Sequence, residues 1–228
     1  MRWWRFSERV PGKPRLQVFW WAFAEGFMRV PCNAVWGMRV RGRENVPTQG
    51  PVLFISNHQS FFDPMCNGAA AADRQFTIIA KKGLFRGPFG WIIKSLGAKP
   101  ISLNGGDGES LRISIDELQA GRCVCMYPEG ARTFDGTVQP FRRGVLLLIR
   151  KAKPQIVPIG IAGSYSAWPR PRMLPRFGGK IRVTVGAAFD GNAIAAMPPE
   201  EALKVLEDSV RAQYAEALAW RGSPEISL

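Results

Sequence analysis

The chain has 228 residues, 46% of them hydrophobic and 21% charged. That balance supports one generous core or two tight ones and excludes disordered, collagen-like and coiled-coil readings. Its 31 lysines and arginines against 18 acidic residues give a formal net charge of +13, so an anionic partner or substrate is expected, with nucleic acid, a membrane surface and a phosphorylated small molecule all left open by charge alone.

The basic residues are unevenly placed. Residues 1–50 hold nine basic and three acidic side chains, 136–189 ten basic and none acidic, and 190–228 three basic and seven acidic. One face is therefore expected to meet an anionic layer while another stays in water. Trp3, Trp4, Trp20, Trp21 and Trp36 lie among Arg2, Arg5, Arg9, Lys13, Arg15 and Arg29, and an amphipathic indole beside a guanidinium suits a headgroup layer. Residues 16–30 are apolar around most of a helix, but the longest charge-free run, 16–24, has nine residues, whereas a span needs about 20. Pro31 is expected to break this helix, leaving 32–38 as a second short apolar piece. The segment reads as a non-spanning anchor, a helical hairpin in one leaflet, with a buried core helix carrying an exposed basic tail as the competing reading. Bulky Trp20 and Trp21, the charge at Glu25 and the lack of a small-x-small site argue against a cleaved signal peptide.

From residue 39 the punctuation is that of an α/β domain. Residues 52–56 form an apolar run between Pro51 and Asn57, hence a buried strand. Asp63 followed by Pro64 reads as an N-cap and first helical position, starting a helix through the alanines at 69–72. Further strands are expected at 76–80, 122–127, 156–161 and 181–185, and further helices at 89–96, 109–120, 144–152 and 200–220. Strands alternating with helices predict a mostly parallel sheet flanked by helices, with function at the loops after the strands' carboxyl ends. The four cysteines, at 32, 66, 123 and 125, form no C-x-x-C pair, and with one histidine they cannot build an ordinary zinc site. No metal is expected, and a reducing, cytosol-facing compartment is.

That histidine, His58, falls two residues past the first buried strand, in NHQSFFD (57–63). Asp63 stays close through the turn, so its carboxylate can reach one ring nitrogen, set the tautomer and leave the other nitrogen as a base toward a hydroxyl. Alone, such a pair is a weak signal, and a structural histidine capped by Asp63 is the favoured reading. Seventy residues on, YPEGAR (127–132) follows another strand and opens a glycine-containing loop, where Arg132 can fork onto a phosphate. Alone, it fits a tight turn with a solvated Glu and Arg.

Together, NHQSFFD and YPEGAR resemble the N-H-x-x-x-x-D and F-P-E-G-T-R-like blocks of the glycerolipid acyltransferase family, which contains the bacterial 1-acyl-glycerol-3-phosphate acyltransferases. Residues 40–56 look like that family's approach strand and Val157-Pro158-Ile159-Gly160 like its fourth block, so the likeness runs over roughly 36–190. It implies an N-terminal membrane-anchoring segment over 1–38 and a catalytic domain over 39–228. It implies His58 as general base, Asp63 as its orienting partner, and Asn57, Glu129, Gly130 and Arg132 around a glycerol phosphate acceptor. The implied reaction moves a fatty acyl group from acyl-CoA or acyl carrier protein to the free hydroxyl of 1-acyl-glycerol-3-phosphate. It gives phosphatidate, with no covalent acyl-enzyme and no cofactor, at the cytoplasmic face of a membrane whose lipids are partners.

Backbone amides around 59–60 or 130 are expected to meet the developing thioester oxyanion. Tyr127 and Ala131 depart mildly from the family's Phe and Thr. Leu103 stands where the family often has a phosphate-gripping arginine, which keeps a different lysolipid or lipid-like acceptor open and turns attention to Arg142 and Arg143 as helpers of Arg132. A nucleic-acid partner is disfavoured, because 136–189 has few stacking aromatics and no helix-turn-helix or RNA-binding signature. An intact His58 and Asp63 argue against a non-catalytic lipid-transfer role.

Overall fold

The computed structural model describes residues 10–101 and 106–223. Leu103 and the tryptophans at 3 and 4 lie outside them. Helix α1 (Arg15–Trp36) follows Pro14 and ends at Gly37, whose φ of 50° is left-handed. It runs unbroken through Pro31, so the hairpin expected there is replaced by a single helix. A proline inside a helix costs about 3 kcal/mol, and here the turn beyond it is held by tertiary contacts. Cys32 and Trp36 are buried in the main core, the indole Nε1 of Trp36 donates to the Arg176 carbonyl at 2.6 Å, and Trp36 packs on Phe62 with ring centroids 4.5 Å apart. The opposite side of α1 leaves Leu16, Phe19, Phe23, Phe27 and Val30 exposed in a stripe of helical spacing. Among the described residues no helix is long and apolar enough to cross a membrane.

Among the described residues eight strands form the sheet: β1 (Arg39–Arg41), β2 (Val52–Ser56), β3 (Phe76–Lys81), β4 (Lys99–Ile101), β5 (Cys123–Met126), β6 (Gln155–Ala162), β7 (Arg182–Val185) and β8 (Phe189–Asp190). The order is β1-β7-β6-β2-β5-β3-β4, with β8 also pairing with β6. Pairs are parallel except β6–β7 and β6–β8. Between and after the strands come α2 (Asp63–Ala70), α3 (Gly87–Ser95), α4 (Gly106–Gln119), α5 (Gly144–Ala152), α6 (Ser164–Ala167), α7 (Gly191–Ala196) and α8 (Pro199–Gly222).

Two cores sandwich the sheet, and β2 shows why. Its alternate side chains point to opposite faces: Val52 and Phe54 join Trp36, Phe62 and Phe76 under α1 and α2, while Leu53 and Ile55 join Leu118, Leu148, Ile149 and Leu206 under α4, α5 and α8. Both faces being covered, the strand reads as a continuous apolar run. The four cysteines are buried and free.

Each element expected between residues 52 and 220 is present, with bounds within three residues. The unexpected ones, β1, β4, β8, α6 and α7, have six residues or fewer, too few for periodicity to mark. At Gly160 a Cβ would collide with the backbone of Gln213 and Tyr214, because β6 and α8 meet there without a side chain between them. Gly160→Ala should therefore destabilise the fold by about 1–3 kcal/mol through overpacking. Thermal unfolding is expected to move down by roughly 2–4 °C per kcal/mol, and an unchanged midpoint would mean that α8 is not seated on β6 as described.

Candidate active site

The turn carrying His58 leaves the sheet at the carboxyl end of β2, and Asn57 decides how it leaves. Its Nδ2 donates to the Ile161 carbonyl at 2.9 Å and its Oδ1 accepts from the Ile161 amide at 2.8 Å. The side chain thus continues the β2–β6 ladder by one step while the backbone turns away. Asn57 is fully buried and its carboxamide is spent on strand β6, so it acts on the position of the next residue and not on a ligand.

Asp63 is the first residue of α2, and Phe62 holds the cap position. Its carboxylate does not cap the helix, as the sequence leads one to expect; it points back into the turn. There Oδ2 accepts from His58 Nδ1 at 2.8 Å, from the Gln59 amide at 2.6 Å and from the Ser60 amide at 2.7 Å. A buried carboxylate facing Nδ1 fixes the ring proton on that nitrogen and leaves Nε2 as the acceptor. The imidazole lies flat on Tyr127, with centroids 3.8 Å apart and planes 12° from parallel. Burial pushes the Tyr127 phenol well above its ordinary range, so the ring under His58 stays neutral; its oxygen meets Asn67 Nδ2 at 3.1 Å.

The second motif is bound to the first through Glu129. Its Oε1 accepts from the His58 amide at 2.7 Å and its Oε2 from the Gln139 amide at 3.1 Å, while the Thr133 amide donates to the His58 carbonyl at 2.8 Å. Burial raises the Glu129 carboxyl to about 7, against the pull of the two amides that favour its charge. Both of its oxygens face backbone, whereas the sequence pointed to a direct hold on the acceptor.

Gly130 has a φ of 79° and packs against the Arg142 side chain, whose Nε would lie 2.5 Å from a Cβ there. Arg132 lies over the Phe61 ring, its Cζ 3.6 Å from the centroid, and its Nη1 is buried with no hydrogen-bond partner among the described residues. Burial and then the nearby Arg170 lower its pKa from the usual arginine value, which still leaves it a cation at neutral pH. Arg170 donates from Nη1 to the Arg132 carbonyl at 3.2 Å and sits over Phe134. The guanidinium beside Arg132 is therefore that of Arg170, since Arg143 pairs with Glu200 at 2.6 Å and Arg142 is packed against Gly130. Nothing in the sequence marks Arg170, because it reaches Arg132 across 38 residues.

A pocket of about 280 Å³ opens on the 129–139 loop itself, lined by Glu129, Ala131, Arg132, Thr133, Phe134, Asp135 and Gln139 and by no residue of the His58 turn. The Asp135 carboxylate is turned into its own loop, where hydrogen bonds from Thr133 and Thr137 hold it down to about 2. The amides expected to meet an oxyanion are already engaged: those of Gln59 and Ser60 on Asp63, and that of Gly130 on the Tyr127 carbonyl at 3.0 Å.

A family model described as Acyltransferase matches residues 37–162, more than half of the chain and both motifs. The chain belongs to the acyltransferase family. It is 27% identical over 174 residues to the chloroplastic 1-acyl-sn-glycerol-3-phosphate acyltransferase of Arabidopsis thaliana, covering 75% of this chain and 48% of that one. With the 1-acyl-sn-glycerol-3-phosphate acyltransferase of Bacillus subtilis it shares 23% identity over 195 residues, 85% of this chain and 94% of the other. The fold matches the crystal structure of the 1-acyl-sn-glycerophosphate acyltransferase PlsC of Thermotoga maritima, with a TM-score of 0.73, 23% identity and coverage of 93% of this chain and 81% of that one. The chain spans about half the length of the plant and algal relatives that it matches.

In this member of the family, Glu129 gives the site a pH signature. A carboxyl group whose folded pKa lies near 7 instead of 4.5 adds stability that is complete below the unfolded value and lost as pH rises through the folded one. The full swing is on the order of 3 kcal/mol. Glu129→Gln removes this titration, so the stability of the wild type relative to the variant should fall between pH 4.5 and 7.5 in parallel denaturant melts. A difference constant across that window would mean that Glu129 is not held in a low-dielectric site.

Proposed function

We propose that the protein transfers a fatty acyl group from acyl-CoA or acyl carrier protein to the free hydroxyl of 1-acyl-glycerol-3-phosphate, at a membrane surface. The observation that carries this reading is the pairing of an Asp63-oriented His58 with a buried, unpartnered Arg132 nitrogen across one turn. Membrane association is supported by the exposed apolar stripe of α1, and a cytosol-facing site by the four free cysteines.

In the proposed reaction His58 Nε2 accepts the proton of the acceptor hydroxyl as its oxygen bonds to the thioester carbonyl carbon. The tetrahedral intermediate collapses, the carbon–sulfur bond breaks, and the thiolate leaves with the proton that His58 held, so ester and free thiol form and the enzyme ends unchanged. Asp63 stays ionised throughout, orienting the ring and stabilising the imidazolium between the two proton transfers. Arg132, half-buried and with Nη1 buried and unpaired, is suited to a charge-assisted bond to the acceptor phosphate, and Arg170 adds positive potential beside it.

Three substitutions test the assignment. His58→Ala should cost about 10² to 10⁴ in turnover, the usual contribution of a positioned general base, and Asp63→Asn most of that. Retention of more than about a tenth of wild-type turnover in His58→Ala would remove His58 as the base. Arg132→Ala deletes one charge-assisted contact, worth about 1.5–3 kcal/mol, and should lower kcat/KM for a phosphorylated lysolipid by roughly one to two decades. It should hardly affect an acceptor without an exposed phosphate. Equal losses on both acceptors would assign Arg132 to the loop or the donor instead.

A further inference from the structure

Residues 168–180 form a loop from which the reaction above uses only Arg170. They follow α6 and contain Arg170, Arg172, Arg176 and Lys180 with no acidic residue. The loop is closed on itself by the Arg172 amide on the Pro169 carbonyl at 3.1 Å, the Arg176 amide on the Ala167 carbonyl at 2.7 Å, and the Trp168 indole on the Arg172 carbonyl at 3.0 Å. Its closed base thrusts out a tip on which Met173 is 92%, Leu174 74% and Phe177 86% exposed. Large apolar side chains gathered at a loop tip between arginines are costly in water and need a covering partner.

The base of the loop touches both functional parts of the molecule. Ser60 Oγ, in the His58 turn, donates to the Trp168 carbonyl at 2.9 Å, and Trp168 packs on Phe61 and Phe62. Arg170 reaches the Arg132 carbonyl. On the other side Phe177 stacks on Trp36, centroids 6.4 Å apart and planes 11° from parallel, which joins the tip to the end of α1. The apolar tip thus lies beside the C-terminal end of α1, with Arg172 and Arg176 flanking it.

We propose that the 168–180 loop is a lipid-inserting lip, whose Met173, Leu174 and Phe177 enter the acyl layer of an anionic phospholipid bilayer while Arg172 and Arg176 meet its phosphates. Charge decides for a bilayer of anionic lipid, and the projecting aliphatic tip decides against a partner bound by charge alone. The lip rests on the proposed function in one respect: it would set an acceptor drawn from the bilayer beside Arg132 and His58. Because Trp168 links it to the turn that carries the dyad and Arg170 links it to Arg132, insertion and acceptor entry would occur at one place.

The test uses the full chain and vesicles of mixed phosphatidylglycerol and phosphatidylcholine, with pure phosphatidylcholine as the neutral control. The double variant Met173→Ser/Leu174→Ser should partition at least about tenfold more weakly into the mixed vesicles, given the apolar surface it no longer buries. Arg172→Glu should weaken binding to the mixed vesicles and leave binding to the neutral ones unchanged. Transfer to a vesicle-embedded acceptor should fall in the double variant by a decade more than transfer to a short-chain acceptor dissolved as monomers. Leu174→Cys carrying a polarity-sensitive dye, with the native cysteines all buried, gives an independent readout: its emission should shift to the blue on adding mixed vesicles. Unchanged partition of the double variant, or a dye that stays in water, overturns the lip. So does normal vesicle binding with selective loss of transfer from acyl carrier protein, which would make the loop a protein-docking surface. If the wild type acylates neither acceptor while the vesicle results hold, the lip stands and the proposed reaction falls.

Discussion

Asp63 Oδ2 accepts three hydrogen bonds inside a fully buried site, and the shape of the active turn depends on it. Two of the donors are the amides of Gln59 and Ser60, so the carboxylate folds the backbone around itself before it orients the histidine. Removing it would leave two buried amides without acceptors, each a penalty of about 1–3 kcal/mol, as well as a ring free to take either tautomer. The same atom therefore sets the geometry of the turn and the tautomer of its histidine. This double duty explains why an aspartate five residues from a histidine carries information that neither residue has alone.

The site is closed by a second buried carboxylate, that of Glu129. Glu129 is nearly as buried as Asp63, but only two amides neutralise it, and desolvation wins, lifting it to about 7. Glu117 shows the other outcome. Burial pushes it up as well, yet Arg122, Lys99 and Thr77 all donate to it and together bring it down to about 2. Cations stabilise a charge in the interior far more than neutral donors do. Pairing Glu129 with an arginine would have stabilised its charge, and Arg132 is the nearest in sequence. Arg132 instead lies over Phe61 with Nη1 unpaired, so the positive charge of this motif stays uncommitted and open to an anion.

Elements that must fill or cover a sheet face were legible from the chain, β2 and β6 as continuous apolar runs and α8 as an amphipathic helix. Both chemical motifs were legible as motifs. What stayed hidden was the direction of individual side chains. Asn57 and Glu129 sit inside motif blocks and look equally able to touch a ligand, but each is spent on backbone that holds the turn. Pro31 misled in the opposite sense, since local propensity says that a helix ends there and the burial of Cys32 and Trp36 outweighs it. Arg170 was invisible for a third reason: its partnership with Arg132 is made by the return of the chain after α6, which has no local signature.

These features place the distribution of charge in a mechanical context. The basic excess of 136–189 is shared among groups with different work: Arg143 on the Glu200 carboxylate, Arg142 against Gly130, Arg170 at Arg132, and Arg172 and Arg176 around an apolar tip. A uniformly basic surface would attract any polyanion. An arrangement in which a half-buried guanidinium with one unpaired nitrogen has a second beside it, while others ring bulky apolar side chains, would suit a molecule that is anionic at one end and hydrocarbon at the other. Under the proposed function, the fatty chain of such a molecule would stay in the lipid layer while its head group met Arg132.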